Sequence, residues 1–175
     1  MASLTNGSRI HFSRPELRIG EELSMPVGIA LHTLAAVIWV GGMFFAYLVL
    51  RPSAGALEPV IRLPLWQRVF SRFFPWVWLT IAVLLASGFS MIFMGFGGFG
   101  AAGAFVHVMM ALGIVMMAAY AHLYFAPWKR FRRAVEAGDW PGAAKHLGQI
   151  RRIVAVNLTL GLLTVIIGAS GRFFV

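Results

Sequence analysis

The 175-residue chain is 59% apolar, only 12% charged and has a mean hydropathy of +0.80, which excludes a soluble domain wrapped in a charged surface. It contains no cysteine, so disulfides, thiolate metal sites and iron–sulfur clusters are excluded too. The net charge of +9 is not a nucleic-acid signal, because the basic residues sit in short segments beside apolar runs, where they act as topology determinants.

Residues 1–25 are polar and mixed in charge. No apolar core follows a basic start, so the segment is not read as a cleavable signal peptide. It is expected to be an interfacial tail with a short helix around Pro15–Leu23, in which His11 is an ordinary exposed side chain. Residues 26–175 then form the membrane unit. The first span, about 26–50, opens on Pro26, a favourable first helical residue, and ends at Arg51-Pro52. Gly41 and Gly42 in mid-span would let a neighbouring helix approach closely. The connection to the second span holds Pro52, Pro59 and Pro64 and four arginines. Within it Leu65–Phe73 is predicted as an interfacial helix, with Trp66 at headgroup depth.

The second span, about 73–94, opens with Phe73-Phe74-Pro75-Trp76-Val77-Trp78, an aromatic group expected at a membrane interface. Ser87, Gly88 and Ser90 make a small polar patch further in. The uncharged run Gly95–Gly103 predicts a tight hairpin into the third span, about 101–125. Beyond Pro127 a basic segment extends spans three and four outside the bilayer. Gly138 ends one helix there, Asp139 caps the next and Trp140-Pro141 opens it. The fourth span is about 153–171. The fold class is therefore an all-α integral membrane four-helix bundle with an N-terminal surface segment and a cytoplasmic helical extension between spans three and four.

Lysine and arginine are concentrated in the two connections that hold Arg51–Arg72 and Lys129–Arg152. The positive-inside rule puts both connections in the cytoplasm and both termini outside, in the periplasm if the membrane is a bacterial inner membrane. Spans one and three then both start outside, and His32 and His107 each lie ~9 Å into their span. Two imidazoles at one depth suit the axial positions of a single haem b. Ser87, Gly88, Gly168 and Ala169 share that layer and leave room for a flat macrocycle, with Arg172 at the rim to meet a propionate. Intramembrane ionisable residues are functional candidates by default, although a membrane histidine can also simply brace a neighbouring helix. His122 lies ~22 Å further along span three, with no histidine partner at its depth, and His146 is read as solvated.

The haem reading implies one-electron transfer by a membrane oxidoreductase component, alone or as a small subunit of a respiratory or redox complex, with quinone or another membrane redox subunit as partner. Two readings compete with it. Thioethers suit copper(I), so Met43, Met109, Met110, Met116 and Met117 together with the histidines allow a copper-handling or copper-transport protein, although methionine is also a common core filler. The other is a cofactor-free accessory subunit.

The run Leu31-His32-Thr-Leu-Ala-Ala-Val-Ile-Trp39-Val-Gly41-Gly42 resembles the first span of the copper-resistance D (CopD) family. The resemblance continues through Arg72-Phe-Phe-Pro-Trp, Val106-His107 and Ile150-Arg-Arg-Ile, covering about Met25 to Val175. It is closest to the small single-domain, four-span members, and it implies a membrane bundle with copper or haem handling. More distantly, His32 and His107 resemble the two histidines of the membrane-bound protoporphyrinogen oxidase family (HemJ), which is associated with haem b. That family's pattern has a lysine shortly after the second histidine, where this chain has Val108, Met109 and Met110.

Overall fold

In the computed structural model the described residues are 15–173, with side chains from Met25 to Phe173 apart from Arg172. Every regular element among them is helical, and the helices join end to end into four long rods. The first rod is α1 (Pro15–Phe44), a π-helical stretch Phe45–Leu50 and α2 (Arg51–Gly55). The second is α3 (Pro59–Ser90) with a π-helical end, Met91–Gly95. The third is α4 (Ala104–Leu123), a π-helical stretch Tyr124–Trp128 and α5 (Lys129–Glu136). The fourth is α6 (Trp140–Ser170), closed by a 3₁₀ turn at Gly171–Phe173.

Each rod contains a stretch long and apolar enough to cross a bilayer. Large apolar side chains such as Val27, Leu34, Val37, Ile114, Val115 and Ile166 are exposed on the outside of the bundle. In water this would be a severe liability; in lipid it is the expected surface, since backbone groups are satisfied within each helix. The protein is an integral membrane four-helix bundle. Along the bundle α1 packs on α3, α4 packs on α6, and α1 meets α6.

Several boundaries differ from the sequence expectation. Pro26 lies inside α1, which runs unbroken from Pro15, and does not start a new helix. Proline removes one ladder bond, and the rest of the helix carries the chain across it. The expected long connection between the first two spans shrinks to Ala56–Glu58, because Pro52 sits in the first turn of α2 and Pro59 opens α3. At Pro59 the missing N–H costs nothing, while Pro52 directly follows the π-helical stretch inside the continuous first rod. The interfacial helix expected at Leu65–Phe73 is the first part of α3, and Trp66 points into the core at 2% exposure. The glycine hairpin is present: Gly97 and Gly98 take positive φ (76° and 109°), and Gly98 N–H donates to the Ile92 carbonyl at 2.8 Å. The helical extension of the last two rods is present as well, with Gly138 at φ 70° and the Asp139 carboxylate accepting from Gly142 N–H at 2.9 Å.

The two ends of the bundle are packed by different chemistry. At the basic end aromatic rings fill the space, with Phe70, Phe74, Trp128 and Phe131 in mutual edge and stacked contacts and Phe131 fully buried. Tyr120 closes this cluster and donates its hydroxyl to the Phe74 carbonyl at 3.0 Å. Toward the hairpin end, glycines and methionines pack the α1–α3 seam.

Candidate functional site

The hairpin-end half of the α1–α3 seam is built from glycines on one helix facing longer side chains on the other. His32 lies against Gly88: a Cβ on that glycine would stand 3.5 Å from His32 Cε1. One turn nearer the hairpin the roles swap, and a Cβ on Gly28 would meet Met91 Cγ at 3.4 Å and its sulfur at 4.0 Å. One turn further, Met25 covers Gly95 so closely that a Cβ there would come within 2.6 Å of its sulfur. As the numbers on α1 rise those on α3 fall, as antiparallel helices require. At ~1.5 Å per residue the imidazole and the two thioethers occupy ~10 Å of one seam.

The His32 ring is half-buried and oriented by a specific bond. Its Nδ1 lies 2.9 Å from Ser87 Oγ, and Ser87 donates its own hydroxyl proton to the Val83 carbonyl at 2.6 Å. A hydroxyl has a single proton. With that proton on Val83, Ser87 accepts from His32, which assigns the hydrogen to Nδ1 and leaves the Nε2 lone pair free. Metal-binding histidines are characteristically fixed in this way by a partner on the other ring nitrogen. The buried Ser87, expected only to make room, is the residue that orients the imidazole.

His107 has a different setting. It is exposed on α4, and its Nδ1 donates to the Gly103 carbonyl of its own first turn at 3.2 Å. The space that Gly168 leaves is filled by Met109, whose sulfur would lie 3.4 Å from an added Cβ, and that at Gly88 by the His32 ring itself. The Arg172 side chain lies outside the described residues. His122 is exposed, and His146 is half-buried beside Gln149 at 3.3 Å. Met116 is core filling, buried against Gly161. Among the described residues no three His, Asp or Glu side chains gather into a group that could hold a metal.

Met25 and Met91 were not singled out from the sequence. The signal was present: 25, 28 and 32 fall on one helical face, as do 88, 91 and 95. What the sequence lacked was the register that lays those two faces together.

The copper resistance protein D family model matches residues 67–170 of the chain. The chain belongs to the CopD family. No curated protein and no solved structure matches it. The CopD match starts at Gln67 and runs through α3, α4, α5 and α6. It includes Ser87, Gly88 and Met91, while Met25 and His32 join the matched part through packing of α1.

Proposed function

We propose that this CopD protein handles copper(I) as its cargo, taking it up at the hairpin end of the bundle through Met25, Met91 and His32. The observation that supports the reading is the seam itself. Two thioethers and an imidazole stand on successive turns, and the imidazole is held as the tautomer whose Nε2 can donate to a metal. Copper(I) favours this soft thioether and imidazole set, whereas magnesium, calcium and manganese favour oxygen ligands that the seam does not offer. The methionines are also unbranched and flexible, which lets a donor follow a moving ion. With both basic connections placed in the cytoplasm by the positive-inside rule, the seam opens toward the outer face, and copper enters there.

The test is an anaerobic competition titration of purified protein with a chromogenic copper(I) chelator. Wild type is expected to bind copper(I), and His32→Ala and Met91→Leu should each weaken binding by about tenfold or more. Met116→Leu, a core position, should not. Equal affinities for all four proteins would overturn the reading.

Haem b is the other cofactor that the two histidines suggest, and one observation favours it. Both Nδ1 atoms are engaged, by Ser87 and by Gly103, so both Nε2 atoms are available as axial ligands. Against it, Met109 packs onto Gly168 and His32 onto Gly88, so a macrocycle in that layer needs the packing to open. A reduced-minus-oxidised absorption spectrum separates the readings. Bands of the b type that His32→Ala and His107→Ala both remove would restore haem-based electron transfer to quinone or a redox subunit.

A further inference from the structure

The basic end of the bundle holds a cavity of about 500 Å³, lined by Tyr47, Leu48, Arg51, Gly55, Arg62 and Arg151. Three guanidinium groups from three rods converge on it. Arg51 lies over the Tyr47 ring at 4.8 Å, and Arg151 lies over the Trp66 ring at 5.7 Å. Arg62 reaches back with one nitrogen to the Gly55 and Leu57 carbonyls, both at 3.3 Å.

Among the described residues these charges are uncompensated. Among the described residues the ion pair present is Arg132–Glu136, on the surface of α5. Among the described residues Arg51, Arg62 and Arg151 have no carboxylate partner. Moreover, Arg62 Nε and Arg151 Nε are buried without a hydrogen-bond partner among the described residues, as is Trp66 Nε1 beside them. Buried N–H donors are nearly always paired, and three like charges sharing one cavity repel one another more strongly there than in water. Such a cluster is stabilised by an anion with several acceptor oxygens, and guanidinium forks match phosphate geometry.

The local backbone is shaped for the same end. Tyr47 and Leu48 belong to the π-helical stretch Phe45–Leu50, and Arg51 and Pro52 follow it directly. A π-helical turn widens a helix, and such turns often occur at functional sites. Leu48, which lines the cavity, is an exposed apolar residue of the lipid-facing surface. A headgroup in the cavity would therefore leave its acyl chains on an apolar wall.

We propose that this cavity is a phosphate-binding site for the headgroup of an anionic phospholipid in the leaflet at the basic end, with Arg51, Arg62 and Arg151 as its ligands. A free phosphate ester would satisfy the same arginines, and the apolar flank favours the lipid. Basic pockets between membrane helices bind such headgroups in general. The site is at the opposite end from the copper seam and is independent of it.

The full chain in neutral detergent is titrated with short-chain phosphatidylglycerol, short-chain phosphatidylcholine and inorganic phosphate, with thermal unfolding as the readout. Phosphatidylglycerol should raise the midpoint saturably and phosphatidylcholine should not. The Arg51→Gln/Arg151→Gln variant should lose at least tenfold in apparent affinity for phosphatidylglycerol, and Arg132→Gln/Arg133→Gln should retain it. If the first variant does not fold, Arg51→Gln alone, at an exposed position, is expected to show a smaller loss of the same sign. A saturable shift with inorganic phosphate at the same concentration as phosphatidylglycerol would reassign the site to free phosphate and overturn the lipid source. An equal shift by phosphatidylglycerol in wild type and in the variants of Arg51 and Arg151, or no shift by either anion, would overturn the site.

Discussion

His32 Nδ1 lies 2.9 Å from Ser87 Oγ, and that serine has already given its proton to Val83. The imidazole therefore keeps Nε2, not Nδ1, as the nitrogen whose lone pair can bind a metal. Ser87→Ala removes the acceptor, so the ring can turn and exchange tautomers. Copper(I) affinity is expected to fall by about tenfold, the usual effect of deleting a partner behind a metal-binding histidine. Fold stability should drop by only about 1 kcal/mol, the net value of one hydrogen bond. Titration and thermal unfolding of the same sample separate the two effects. A Ser87→Ala protein with unchanged copper affinity would show that the bond serves packing alone.

The absence of cysteine makes orientation directly measurable. A single cysteine at Ala137, in the turn after α5, and another at Gly100, in the glycine hairpin, occupy opposite ends of the bundle. With the basic end in the cytoplasm, an impermeant maleimide added to intact cells should label Ala137→Cys poorly and Gly100→Cys well. The reverse pattern would invert the membrane orientation and move copper entry to the other face.

The fold was legible because membrane spans are written in single residues and their neighbours. Hydropathy marks the four rods, and Gly138-Asp139-Trp140-Pro141 marks a turn by stop, cap and start in order. Element edges were less legible, since Pro26 and Pro64 read as boundaries although both lie within helices. A proline disfavours the helical conformation of its predecessor, but the cost is local and a long packed helix overrides it. The site was legible only in part. His32 was named from the sequence as a haem ligand, and Ser87 and Gly88 of the same layer for the space they leave and not for the bond that Ser87 makes. Met25 and Met91 depend on helix–helix register, which no single span encodes.

Gly41 and Gly42 were expected to act alike, and the structure separates them. Gly42 is packed under the Phe73 ring, so a methyl group there collides with the ring tip, whereas Gly41 is exposed with nothing within 4 Å of an added Cβ. Gly42→Ala should cost about 1–2 kcal/mol, the range for overpacking a contact that can partly yield. Gly41→Ala should be neutral or slightly stabilising, because alanine is the better helix former. Unfolding midpoints in detergent decide this, and equal costs at both positions would contradict the seam described here.

The turn between α5 and α6 offers a case in which one substitution reverses the sign of another. Asp139 accepts from Gly142 N–H at 2.9 Å, and a Cβ on Gly142 would run into the same carboxylate. Asp139→Ala loses the cap and should cost about 1 kcal/mol. Gly142→Ala in the wild-type background should also destabilise, since its methyl group collides with the other carboxylate oxygen and pushes the capping group away. Once Asp139 is alanine, that collision is gone and only the helix-propensity difference remains, which favours alanine over glycine by up to about 1 kcal/mol. Gly142→Ala is therefore expected to stabilise the Asp139→Ala protein while weakening the wild type. A double-mutant cycle measured by thermal unfolding should yield a coupling energy of about 1 kcal/mol or more, and additive effects would mean that the two residues do not share the contact.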